Sequence, residues 1–154
     1  LRLSDATYGQ CSVAAVGVAA HECGHAIQHA RGYAPLQFRS ALVPVANFGS
    51  MIAWPLIVLG LFINSQSSAL LINIGILAFS LAVLFQLVTL PVEYNASGRA
   101  VRILAETGMM QGEEIVATKK VLNAAALTYV ASAAAAILQL VRILILTGGR
   151  RRDD

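Results

Sequence analysis

The sequence predicts a mainly α, multi-pass membrane protein. Two observations carry this. Of the 154 residues, 57% are hydrophobic and 12% are charged, against about 25% charged in an ordinary soluble domain. No Asp, Glu, Lys or Arg occurs in residues 40–92, a run more than twice the roughly 20 residues that cross a bilayer once. The length suits one domain, 1–154. The net charge is +3, but the basic residues are scattered where membrane topology would put them, so nucleic-acid binding is not expected.

Taken in order, residues 1–4 (Leu-Arg-Leu-Ser) alternate apolar and polar, a pattern open to two readings, a short edge strand or a frayed terminus. Residues 5–10 are polar and turn-like, with Ser4 or Asp5 as the cap of a short helical turn. Residues 12–31 form the first long helix, with Gly32 as its stop. A connector containing Pro35 follows. Residues 41–63 read as the first membrane span, with Pro44 and Pro55 predicting a kink or a broken start. Residues 64–68 are a polar turn, and 69–90 are the second span, making an antiparallel hairpin. Pro91 closes that span, and a separate helix runs over 92–106 to a stop at Thr107 and Gly108. After a loop at 109–112, Glu113 and Glu114 open a helix with acids in its first turn, as the dipole favours. It continues into 121–146, either a third span or a long helix packed against the first. The small side chains of 131–136 suit close packing in lipid.

The chemistry is concentrated in His21-Glu22-Cys23-Gly24-His25, an H-E-x-x-H pattern within the first long helix. At about 3.6 residues per turn the two histidines share one face and can ligate one Zn²⁺. Glu22 is rotated by about 100°, out of ligation but within reach of a water on the metal, as a general base. The preceding run of 13–20 is small and apolar, which predicts a helix buried on most sides, where His and Glu are costly unless paired. Two hydrogen-bonded core histidines with a capped Glu are the bland alternative. Gly24 allows a close backbone approach. Cys23 points away from the histidine face, and with Cys11 it is expected as a reduced thiol in a reducing compartment. His29 is expected at the surface of the helix end.

Catalytic zinc usually takes three protein ligands and a water. Glu93 is the best remaining candidate, because the hairpin leaves the membrane on the side it entered and returns Glu93 near His25. A lone carboxylate at the mouth of a span is a functional-site candidate in itself. Asp5, Glu106, Glu113 and Glu114 are its rivals, the last three better explained as solvated helix-end charges.

Three separated motifs then carry a resemblance. They are Ala-Ala-His21-Glu22-x-Gly-His25-Ala-Ile-Gln, Leu-Pro-Val-Glu93-Tyr-Asn-Ala-Ser-x-Arg-Ala, and Val-Leu-Asn123-Ala-Ala-Ala-Leu-Thr-Tyr129-Val. Together they resemble the YugP-like family of neutral zinc metallopeptidases in bacterial membranes, over nearly the whole chain. The resemblance implies a zincin-type site in a multi-pass bacterial cell-membrane protein. Its members carry a further membrane helix ahead of the point where this chain begins, so a fragment is expected. By resemblance His21, His25 and Glu93 are zinc ligands (a gluzincin-like set) and Glu22 is the general base. The wider HtpX and CAAX-prenyl-protease group pairs H-E-x-x-H with a later E-x-x-A-D. This chain has Ser97 where that group has Asp, so the duty of orienting a zinc-bound histidine is expected of Ser97 or Asn95. Asn123 and Tyr129 are candidates for stabilising an oxyanion.

The functional expectation is a membrane-embedded zinc endopeptidase acting on a protein or peptide substrate, with the lipid bilayer as its other partner. A non-catalytic zinc-stabilised scaffold or partner-binding subunit is the alternative, although it would leave Glu22 without a task. A site-2-type intramembrane protease ranks below both, for want of a later L-D-G-like motif. Arg31, Arg39, Arg99, Arg102, Lys119 and Lys120 flank the site, and the turn at 64–68 is uncharged. The positive-inside rule therefore turns the site to the cytoplasm. Arginines 150–152 pull the other way if 121–146 crosses fully.

Overall fold

The structure is a computed structural model, which describes residues 2–63 and 67–148. Its helices are α1 (Asp5–Tyr8), α2 (Val13–Ala30), α3 (Ala34–Phe62), α4 (Ser68–Glu106) and α5 (Glu113–Gly148). The turn expected at 64–68 falls largely, and the basic tail at 150–152 entirely, outside the described residues. By contacts the chain divides into two units. Of the described residues, one unit holds 2–37 with 89–130, the other 38–63 and 67–88 with 131–148.

The short edge strand does not form. Among the described residues there is no strand, and a lone strand would have no neighbour to take its N–H and C=O groups. The backbone instead closes on itself. Ser4 caps α1, its carbonyl accepting from the Thr7 and Tyr8 amides at 2.9 Å each.

In the first unit, α2 starts where the Ser12 hydroxyl accepts the Ala15 amide at 3.2 Å, a side-chain N-cap. It ends in a Schellman turn. Gly32 sits at φ +61°, its amide donating to His29, while the Tyr33 amide donates to the Gln28 carbonyl. One face of α2 is buried, through Ala15, Gly17, Ala20, Gly24 and Gln28. Burial on most sides was expected, yet Ala14 and Val18 are exposed. The small residues serve close contacts with two helices: a Cβ built on Gly17 would stand 3.1 Å from Thr118 Cγ2 of α5. A Cβ built on Gly24 would collide with the Ala96 carbonyl oxygen and stand 3.1 Å from Ala96 Cα. On α4 the facing stripe is Val92, Ala96, Ala100 and Leu104, one residue per turn. Ala20, Ala100, Leu104, Met110 and Leu122 form the core.

That stripe explains a second departure. Pro91 does not end a helix; α4 runs through it. Proline removes one backbone bond, but the turns after it bury their apolar face against α2, and this outweighs the lost bond. Likewise α3 begins at Ala34 inside the expected connector, because Pro35 in a first turn gives up an amide that has no helical partner anyway. It continues unbroken through Pro44 and Pro55.

In the second unit, α3 and the first part of α4 pair antiparallel. A Cβ on Gly49 would meet Ala78, one on Gly60 would meet Ile72 and Ser68, and one on Gly75 would meet Ala53 and Ile57. As the number rises on one helix it falls on the other. Helices α3, α4 and α5 are each long and apolar enough to cross a membrane. Phe48, Met51, Leu77, Leu138 and Ile145 stand exposed, as lipid-facing side chains do.

Gly24→Ala is expected to lower stability by about 1–3 kcal/mol through overpacking against Ala96. Gly98→Ala, whose Cβ meets nothing within 4 Å, is expected to raise it by about 0.5–1 kcal/mol through helix propensity. Denaturant unfolding of both variants in detergent checks the contrast.

Candidate metal centre

The α2–α4 contact brings three ligand-type side chains to one point. Helical spacing puts His21 and His25 one turn apart on α2, with ring centroids 4.7 Å apart and planes near perpendicular at 88°. Glu93 reaches them from α4. Its Oε2 lies 3.2 Å from His21 Nε2 and 3.6 Å from His25 Nε2. One donor atom from each of the three lies within 4.8 Å of the others. Donors around a tetrahedral zinc stand roughly 3.3 Å apart, so the set fits such an ion in chemistry and in spacing. Glu93 is 3% exposed. A carboxylate so buried requires cations or hydrogen bonds around it, and here it faces two imidazoles.

The other nitrogen of each ring is also engaged. His21 Nδ1 lies 3.0 Å from Ser97 Oγ. His25 Nδ1 donates to Gln28 Oε1 at 3.0 Å. A proton held on Nδ1 leaves the Nε2 lone pair for a metal, the usual way a ligating histidine is oriented. Gln28 is fully buried and every polar atom of its amide is used. Its Nε2 donates to the Val92 carbonyl at 2.8 Å and to Asn95 Oδ1 at 3.1 Å. Asn95 Oδ1 also accepts from Arg99 Nε at 2.7 Å. A hydrogen-bonded chain thus runs Arg99, Asn95, Gln28, His25.

The His25 pKa is raised above 6.5, first by its hydrogen bond to Glu93 and against the cost of burial, with Gln28 and the charges of Glu93 and Glu22 adding to the rise. Glu22 is half-buried on α2 one residue past His21. His29 is exposed.

The structure therefore brings His21, His25, Glu93 and Ser97 together and places Asn95 one hydrogen bond behind, against Gln28. Asn123 is exposed and Tyr129 half-buried, both on α5. Asp5, Glu106, Glu113 and Glu114 are exposed and stand outside the donor group. Gln28 was not among the residues singled out from the sequence. The signal for it was there: an uncharged amide one turn beyond His25, on the face predicted to be buried.

Against this geometry, residues 1–148 match the model of the family described as "Putative neutral zinc metallopeptidase". The chain belongs to this family. It is also 45% identical over 151 residues to "Putative membrane protease YugP" of Bacillus subtilis (strain 168), an alignment covering 97% of this chain and 66% of that protein. The chain thus spans just under two thirds of that relative's length. No solved structure matches. A member of a zinc-metallopeptidase family, the chain carries three helices long and apolar enough to cross a membrane.

In the metal-free chain the His25–Glu93 pair is expected to stabilise the fold with a definite pH dependence. Because the folded pKa of His25 lies above 6.5, the contribution is complete below that value, down to where Glu93 protonates, and is lost as pH rises through the raised pKa. Thermal unfolding from pH 5.5 to 8.5 should show this loss in the wild type and none in Glu93→Gln.

Proposed function

We propose that the protein is a zinc-dependent endopeptidase, hydrolysing peptide bonds of membrane-associated proteins or peptides. The observation that carries the reading is the convergence of His21, His25 and a buried Glu93, with both Nδ1 atoms tied down behind the rings. His21, His25 and Glu93 would hold the ion. When bound, zinc supplies Lewis acidity toward a peptide carbonyl and lowers the pKa of water toward 7.

The remaining work falls to side chains of this chain. Glu22 accepts a proton at its carboxylate from the attacking water and returns it to the departing amine. Its place one residue after His21 sets it beside the donor group rather than in it. Ser97 and Gln28 fix the two imidazoles. Glu93 supplies the negative charge that makes a cation welcome among neutral rings. Asn123 and Tyr129 are offered as candidates for stabilising the developing oxyanion. The basic residues Arg31, Arg39, Arg99, Arg102, Lys119 and Lys120 support a site facing the cytoplasm.

Elemental analysis of purified protein tests the ligand set. About one zinc per chain is expected in the wild type and a large loss in Glu93→Ala; equal zinc in both would place the third ligand elsewhere. Glu22→Gln should keep its zinc and lose about 10²–10⁴-fold in peptide hydrolysis. Undiminished function in Glu22→Gln would favour the scaffold reading. Gln28→Ala should weaken zinc binding by about 10–100-fold in competition with a chelator.

A further inference from the structure

Beside the donor group, α2 and α4 border a second feature, open to one side, that the peptidase reading does not use. A cavity of about 330 Å³ is lined by Arg31, Tyr94, Asn95, Gly98, Arg99 and Arg102. Tyr94, Gly98 and Arg102 follow one another at one turn each along α4. Arg31 closes the other side from the C-cap of α2, where a cation also suits the helix dipole.

The nearest carboxylate along α4 is the exposed Glu106, one turn beyond Arg102 and outside the lining. No carboxylate lines the cavity. Arg99 is held rather than free. Its Nε donates to Asn95, and its Cζ lies 5.9 Å from the centroid of the Tyr33 ring, within cation–π range. That fixes the plane of the guanidinium while its terminal amino groups have no hydrogen-bond partner among the described residues. Three like charges around one small cavity repel each other, and an anion bound among them relieves that cost.

We propose that this cavity is a binding site for the phosphate of an anionic lipid headgroup. Two observations select this anion. Three guanidinium groups present more donors than the two oxygens of a carboxylate use, whereas a phosphate offers several oxygens to bidentate forks. In the sequence, the uncharged run ends at Val92 and the α4 part of the lining begins at Tyr94, so the cavity falls where the chain regains polarity after its apolar stretch. Headgroups lie at that boundary, and basic pockets beside membrane helices recognise them. The inference is independent of peptide hydrolysis. It would stand if the metal centre proved non-catalytic.

The full chain, purified in neutral detergent, is titrated separately with short-chain phosphatidylglycerol, phosphatidylcholine of the same chain length, and inorganic phosphate, with bound species read by native mass spectrometry. Phosphatidylglycerol is expected to bind in preference to both. The double variant Arg31→Gln/Arg102→Gln should weaken it about 30-fold, while Lys119→Gln/Lys120→Gln, outside the cavity, should keep the wild-type affinity. If the double variant does not fold, Arg31→Gln alone carries the test with a loss of about 5-fold. Equal binding of the two lipids would overturn the site, as would an equal loss in the lysine control, which would reduce it to diffuse charge. Inorganic phosphate binding as tightly as phosphatidylglycerol would replace the lipid with a soluble ion.

Discussion

A carboxylate taken out of water has to be compensated, and the first unit of this protein is arranged around that requirement. Glu93 is almost fully buried, and its Oε2 faces the Nε2 atoms of His21 and His25. An unpaired carboxylate there would be costly enough to protonate instead. The compensation needs two helices close enough for side chains one turn apart on α2 to meet one side chain of α4. Gly24 and Ala96 allow that distance, because a side chain at position 24 would strike the α4 backbone. The candidate metal site and the close helix contact at Gly24 are thus one feature: bulk at the contact would separate His21 and His25 from Glu93.

Behind the donors the polar groups are satisfied in sequence rather than in isolation. Gln28 accepts from His25, donates to the Val92 carbonyl and to Asn95, and Asn95 accepts in turn from Arg99. Buried networks rigidify when every member is paired. This one ties the His25 imidazole on α2 to the backbone and side chains of α4. It also ends at the basic cavity, so Asn95 is shared between the metal centre and the arginines. His21 is held separately by Ser97, four residues past Glu93 on α4, so one turn of that helix supplies both a donor and the group that orients its partner.

The continuity of α4 follows from the same packing. Pro91 deprives the helix of one bond just before the residues that matter most. The helix persists because Val92, Ala96, Ala100 and Leu104 are fully or almost fully buried. Local preference and tertiary gain disagree at Pro91, and the tertiary term is larger.

Much of this was legible in the chain. The uncharged run of 40–92 and the scarcity of charge determined the apolar helices, because hydrocarbon accepts little else at such length. The H-E-x-x-H spacing determined that His21 and His25 share a face, since helical geometry allows nothing else. Ser12 and Gly32 marked the ends of α2 through backbone requirements that hold without tertiary contacts. The strand at the N-terminus and the break at Pro91 misled, because pairing partners and packing energy are not written in a local pattern. Only the tertiary structure decided which carboxylate meets the histidines, that Gln28 stands behind His25, and that Arg31 of α2 joins Arg99 and Arg102 of α4 around one cavity. Each depends on the register of α2 against α4, which one close approach at Gly24 sets to a fraction of a turn.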